Sequence, residues 1–116
     1  MNPTRCEELH FLLDASGAII AYQEQDSSWA GALAFSTEEL ARSFLSASRL
    51  DVAEIVAIDP EDNANLRLLV TSLKRRPIRY LLLDLNYRTG ACRQVDFEGE
   101  GLGTIREHHF VVPHRD

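Results

Sequence analysis

A chain of 116 residues, 45% hydrophobic and 26% charged, has the length of one domain and enough apolar residues for a core of its own. Its formal net charge of −6 argues against general affinity for nucleic acid or anionic lipid. Its longest apolar runs, such as Leu81-Leu82-Leu83 and Phe110-Val111-Val112, are too short to span a bilayer.

The first residues, Met1 to Glu8, turn acidic and lack the apolar segment of a secretory leader, so a cytoplasmic protein is expected. Cys6 and Cys92 lie far apart and form no CxxC pair, which favours free thiols. Leu9 to Asp14 reads as a strand and Ala18 to Gln23 as its return, joined by the turn chemistry of Asp14-Ala15-Ser16-Gly17. After the polar loop Glu24 to Ser28, Ala32 to Phe35 is a short apolar strand.

Ser36-Thr37-Glu38-Glu39 then predicts a helix opened by a capping box, with Ser36 and Glu39 exchanging bonds. Leu40, Phe44 and Ala47 fall on one face, which Leu45 widens. Ile55 to Ile58 reads as a buried strand. Asp59-Pro60-Glu61-Asp62 predicts a second helix with Pro60 at its first position and acids in its first turn. Leu66, Leu69, Val70 and Leu73 form its apolar stripe, Lys74-Arg75-Arg76 suits the negative end of the dipole, and Pro77 stops it.

Ile78 to Leu85 follows as the strongest strand, apolar on both faces. Asn86 to Gly90 is a turn, and Ala91 to Glu98 alternates like a strand with one wet side. Gly99 to Gly103 reads as a flexible loop, and His108 to Pro113 as a last strand. The order β-β-β-α-β-α-β-β-β, with strands both flanked by helices and joined in hairpins, predicts an α/β domain over residues 1–116. Its architecture is a single mixed sheet of about five to seven strands and two main helices, with α+β as the alternative class.

Chemistry is thinly marked. Gly99, Gly101 and Gly103 are spaced GxGxG with no amphipathic helix following, which is a connector rather than a phosphate loop. His108 and His109 face opposite ways on a strand, and no HxH or HExxH pattern joins them to His10 or His114, so no metal site and no cofactor are expected. Asp96, Glu98 and Glu100 suit a solvated strand face as well as acid–base work. Lys74, Arg75, Arg76 and Arg79 are the dense cationic cluster, able to hold an acidic partner segment. Trp29 and Tyr87, beside polar turns, are aromatic candidates for a binding surface. Neither cysteine has the neighbours of a nucleophile, and there is no GxSxG elbow.

Residues 31–45, running from Gly31-Ala32-Leu33-Ala34-Phe35 through Ser36-Thr37-Glu38-Glu39-Leu40 to Phe44-Leu45, resemble the signature of SseB-type N-terminal domains. The later helix and Ile78-Arg79-Tyr80-Leu81-Leu82-Leu83-Asp84 resemble the segment that follows it. Asp84-Leu85-Asn86-Tyr87 stands where that family often carries Asn-Pro-Gly. The resemblance implies a small bacterial α/β module without established catalysis and carries over no site residues.

If both crossovers advance in one direction, both helices cover the same sheet face. The other face then needs a returning segment, a protein partner or a second copy of the chain. The leading expectation is therefore a non-catalytic protein-binding or self-associating module, with neither nucleic acid nor membrane as partner. The alternative is a small enzyme or ligand binder whose pocket draws on Asp14, Asp84, His108 and His109.

Overall fold

The β-β-β-α-β-α-β-β-β order is the order observed in the computed structural model, which describes residues 8–23 and 30–110. The strands are β1 (Leu9–Leu13), β2 (Ala21–Gln23), β3 (Ala30–Phe35), β4 (Glu54–Ile58), β5 (Ile78–Leu83), β6 (Ala91–Glu98) and β7 (Gly101–His109). The helices are α1 (Glu38–Ser48) and α2 (Asn63–Arg75). The strands form one seven-stranded mixed sheet in the order β4-β1-β3-β5-β6-β7, with β2 also paired to β3. β3 and β5 run parallel, and the other pairings are antiparallel.

Strand order settles where the helices go. β3 and β4 are each antiparallel to β1 between them, so they run the same way. The chain moves outward over β1 through α1 and then back across β1 and β3 through α2. Two crossovers of one hand that travel in opposite directions must lie on opposite faces. The expectation of two helices on one face is thus overturned, because the direction reverses at β4.

The packing follows the two-residue period of the strands. Leu66, Leu69, Val70 and Leu73 of α2 pack with Phe11, Ala32, Ala34, Leu81 and Leu83 on one face. Ala41 and Phe44 of α1 pack with Leu12, Leu33, Phe35 and Leu82 on the other. Each fully buried Leu or Phe contributes about 1.5–3 kcal/mol relative to an exposed one.

β5 is central, as its doubly apolar sequence implies. β4 is not: it forms a sheet edge, with Glu54 and Ala57 exposed, although Ile55 to Ile58 reads as buried.

Helix starts also differ from expectation. Asp59 to Asp62 closes a turn, in which the Asp62 N–H donates to the Asp59 carbonyl (2.9 Å) and the Glu61 N–H to Asp59 Oδ1 (2.8 Å). Pro60 serves that turn. α2 starts after it, with Asp62 as the N-cap accepting the Asn65 N–H, and its first turn carries no acid.

The glycine segment is a tight hairpin rather than a loose loop. Glu98 pairs with Gly101 across a turn in which Gly99 takes φ 64°, and β7 begins at Gly101. A Cβ at Gly103 would lie 2.8 Å from the Glu98 Cβ, so the strand approaches too closely for any other residue. No helix among the described residues is long and apolar enough to cross a membrane.

Candidate functional site at the carboxyl ends of the parallel strands

β3 and β5 end side by side at Phe35 and Leu83, and open α/β sheets bind ligands beyond such ends. The next residues, Ser36 and Asp84, are 48 positions apart and locked together. Asp84 takes the left-handed conformation (φ 56°) that short polar side chains tolerate, and its N–H donates to the Ala34 carbonyl at 2.8 Å. Its Oδ1 accepts the Ser36 N–H (2.7 Å), and its Oδ2 accepts the Ser36 hydroxyl (2.8 Å) and the Arg93 guanidinium (2.9 Å). With its side chain 17% exposed, the carboxylate is a latch between strand ends, its charge balanced by Arg93.

This latch overturns the capping box. The Ser36 hydroxyl and N–H are both committed to Asp84, and Thr37 is the N-cap, accepting the Leu40 N–H at 3.1 Å.

From Asp84 the chain enters a bonded turn. Asn86 Oδ1 accepts the N–H groups of Arg88 (2.9 Å) and Thr89 (3.2 Å), and the Gly90 N–H donates to the Asn86 carbonyl (2.7 Å). Gly90 has φ 84°, and a Cβ there would meet the Phe110 carbonyl oxygen, so glycine is required twice over. The turn presents Tyr87, whose ring meets Phe44 edge-on at 5.6 Å.

Between this turn and α1 lies a cleft of about 410 Å³. Leu40, Phe44 and Ala47 form its helical wall, Phe35 and Leu85 its floor, and Tyr87 and Arg88 the opposite lip. That stripe is divided: Phe44 is buried in the core, whereas Leu40, 42% exposed, and Ala47 turn to the cleft. Core contact is made instead by Ala41 with Phe44, one position round the helix.

The other sequence candidates are dispersed. Asp14 ends β1, which is antiparallel to β3, so it sits at the opposite end of the sheet from Asp84. There, hydrogen bonds from the Ser16 hydroxyl, then from the N–H groups of Ala18 and Ser16, hold its carboxyl below the usual value, with help from the charge of Arg76. His108 and His109 are at the Asp84 end but two strands away, on β7. His108 pairs with Cys92, and the His109 ring bonds the Thr89 carbonyl at 2.8 Å. Asp14, Asp84 and the two histidines do not form one pocket.

The cationic cluster divides as well. Lys74 donates to the Gly99 carbonyl (3.1 Å), Arg76 to that of Ile19 (2.8 Å) and Arg79 to that of Ile78 (3.4 Å), while Arg75 is exposed on the last helical turn. Asp96 is engaged by Gln94 and Arg106, and Glu100 pairs with Arg67. Trp29 lies outside the described residues. Among the described residues, no three His, Cys, Asp or Glu side chains are grouped to hold a metal ion.

Of the sequence candidates, Tyr87 and Asp84 border the cleft; Leu40, Ser43, Ala47, Asn86 and Arg88 join them without having stood out as functional. The exposed edge of the Leu40 stripe was the available signal, and periodicity alone cannot say what a stripe faces. Comparison of the chain with protein-family models, curated proteins and solved structures finds no match.

Proposed function

We propose that the chain is a non-catalytic protein-binding module whose cleft takes one apolar side chain of a partner segment with an acidic neighbour. The carrying observation is the Leu40–Phe44–Ala47 stripe, an apolar helix surface that lines a cleft and leaves Leu40 42% exposed. Apolar walls with a polar rim are the anatomy of a side-chain anchor site. Arg88, exposed at the lip, supplies the charge that an acidic residue would complement. The resemblance to SseB-type domains implies a module without established catalysis and bears only on the non-catalytic part of this reading. The enzyme alternative has weaker support, because Asp14 lies at the far end of the sheet and the Asp84 oxygens are already taken by Ser36 and Arg93.

Selection from a random-peptide display library tests this. The expected peptides carry an aromatic or branched apolar residue close to Asp or Glu, and they shift the amide resonances of Leu40, Ser43, Ala47 and Tyr87. Leu40→Glu, at an exposed position, is expected to weaken them at least about tenfold, a change of ~1.4 kcal/mol. Peptides that shift other residues, or that bind the Leu40→Glu protein equally well, refute the site.

A further inference from the structure

β4 is an edge of the sheet, and among the described residues no strand lies beyond it. The direction of its backbone groups follows from β1. The Leu12 carbonyl accepts the N–H of Ile20, whose own carbonyl accepts the Leu33 N–H, so Leu12 faces β3. The Leu13 carbonyl accepts the Ala53 N–H and faces the other way. Alternation turns Leu9, Phe11 and Leu13 toward β4, where their register partners are Ile58, Val56 and Glu54. The N–H and C=O groups of Ile55 and Ala57 are left pointing outward.

The two edges differ in how they are guarded. In β7 the register with β6 shifts between Val95 and Phe97, and Arg106 and Glu107 stand within the strand. β4 pairs with β1 residue for residue along its length, and Ile55 to Ile58 carry neither a charge nor Pro. Its larger side chains are half-buried on both faces, Ile55 beside the core under α1, and Val56 and Ile58 beside the core under α2. Each half of the core thus ends in an apolar rim that one more strand would cover. Charge indicates which strand. Residues 50–66 contain Asp51, Glu54, Asp59, Glu61 and Asp62 and no Lys, Arg or His. Asp51 and Glu54 stand at the start of β4 and the other three beyond its end, and Asp51, Glu54, Glu61 and Asp62 are exposed.

We infer that the β4 edge binds an extended partner segment by strand addition, with apolar residues against Ile55–Ile58 and Lys or Arg at both flanks. Main-chain bonds at Ile55 and Ala57 hold the segment. Its alternate side chains cover Ile55 on one face and Val56 with Ile58 on the other. The flanking cations meet the acids at the two ends of β4, which sets the segment's position along the edge and rejects acidic competitors. The surface is separate from the cleft, which no β4 residue lines and whose partner carries the opposite charge.

Titration of the full chain with the peptide Arg-Lys-Val-Ile-Thr-Val-Lys-Arg, followed by NMR and amide exchange, tests the inference. The expected result is slowed exchange at the Ile55 and Ala57 amides, with resonance shifts confined to β4 and its flanks. The same apolar centre between Asp and Glu flanks is expected to bind at least about tenfold more weakly. Glu54→Lys combined with Glu61→Lys is expected to reverse that preference. Ala57→Pro removes an outward N–H and no bond to β1, so it is expected to fold and to lose the peptide. Should that variant not fold, the charge-reversed protein still decides. No binding, shifts at the cleft or at β7 instead, or equal affinity for the two peptides overturns the inference. Protection of Ile55 and Ala57 that grows with protein concentration alone would mean that a second copy covers the edge, and overturns it too. Leu40→Glu is expected to leave this binding unchanged, so failure of the cleft and failure of the edge are separable.

Discussion

Asp84→Asn isolates the latch between β3 and β5. Asparagine matches aspartate in size and also tolerates the left-handed backbone seen at φ 56°, so the substitution leaves local conformation undisturbed. Its carbonyl oxygen can still accept the Ser36 N–H now held at 2.7 Å. Its amide nitrogen then points at the Ser36 hydroxyl and the Arg93 guanidinium, where the carboxylate accepted at 2.8 and 2.9 Å. The hydroxyl can rotate to accept, but the guanidinium cannot.

Hydrogen bonds to charged groups are worth about 1.5–3 kcal/mol each. The Arg93 side chain is nearly half exposed, which discounts its share toward the ~0.2–1 kcal/mol of surface pairs. The expected loss is therefore about 2 kcal/mol, read from urea denaturation followed by circular dichroism. Ser36→Ala is expected to cost ~1 kcal/mol, and the double mutant less than the sum of the two, because Asp84→Asn already weakens the Ser36 side-chain bond from a charged to a neutral one, so that less remains for Ser36→Ala to remove. A loss below about 0.5 kcal/mol, or strict additivity of the pair, would refute the latch.

Other outcomes follow from the same geometry. Leu73→Ala, at a buried position of α2, is expected to cost about 2–5 kcal/mol, whereas Leu68→Ala, 68% exposed on the same helix, stays within ~0.5 kcal/mol by the same denaturation assay. Gly90→Ala and Gly17→Ala both place alanine at positive φ, at a cost of roughly 1–2 kcal/mol, but only the first also meets a backbone oxygen, that of Phe110. The melting temperature is accordingly expected to fall further for Gly90→Ala. Burial, then the neighbouring Tyr87, raises the Tyr22 phenol above its ordinary 10.0. Since the neutral form is favoured in the folded state, this contribution is full below pH 10.0 and is lost as pH rises through the raised value. Tyr22→Phe is expected to flatten that alkaline loss of stability in urea titrations.

How much of this could be read from the residues divides along the range of the interactions. The α2 stripe was legible because four apolar residues at helical spacing face one sheet, and the structure buries all four. The start of α2 was not, because Pro60 suits a turn as well as a first helical position. α1 shows the same division within one helix. Its stripe is real, yet Leu40 and Ala47 line a cleft, and Ala41, which alanine's small size made inconspicuous, takes the core position. Ser36 looked like a cap because Thr37 and Glu39 complete the pattern beside it. Its actual partner, Asp84, lies 48 residues away, and no local pattern can announce that distance. The side of the sheet each helix covers depends on the reversal at β4, which element order leaves open.

The latch and the cleft are one mechanical unit. One wall, α1, begins just after Ser36, and the other, the turn carrying Tyr87, begins at Asp84. A single carboxylate therefore holds the starting points of both walls, while the Phe44–Tyr87 ring contact joins them further along. Loss of that carboxylate is expected to loosen the two walls relative to each other before it disturbs α2, which packs on the opposite face. Amide hydrogen exchange can see the difference, because local opening reports each element separately. In Asp84→Asn, exchange at Ala41 and Phe44 should quicken more than at Leu69 and Val70, and peptide binding at the cleft should weaken with it. Uniform quickening of both helices would mean that Asp84 supports the fold as a whole and sets nothing particular about the cleft.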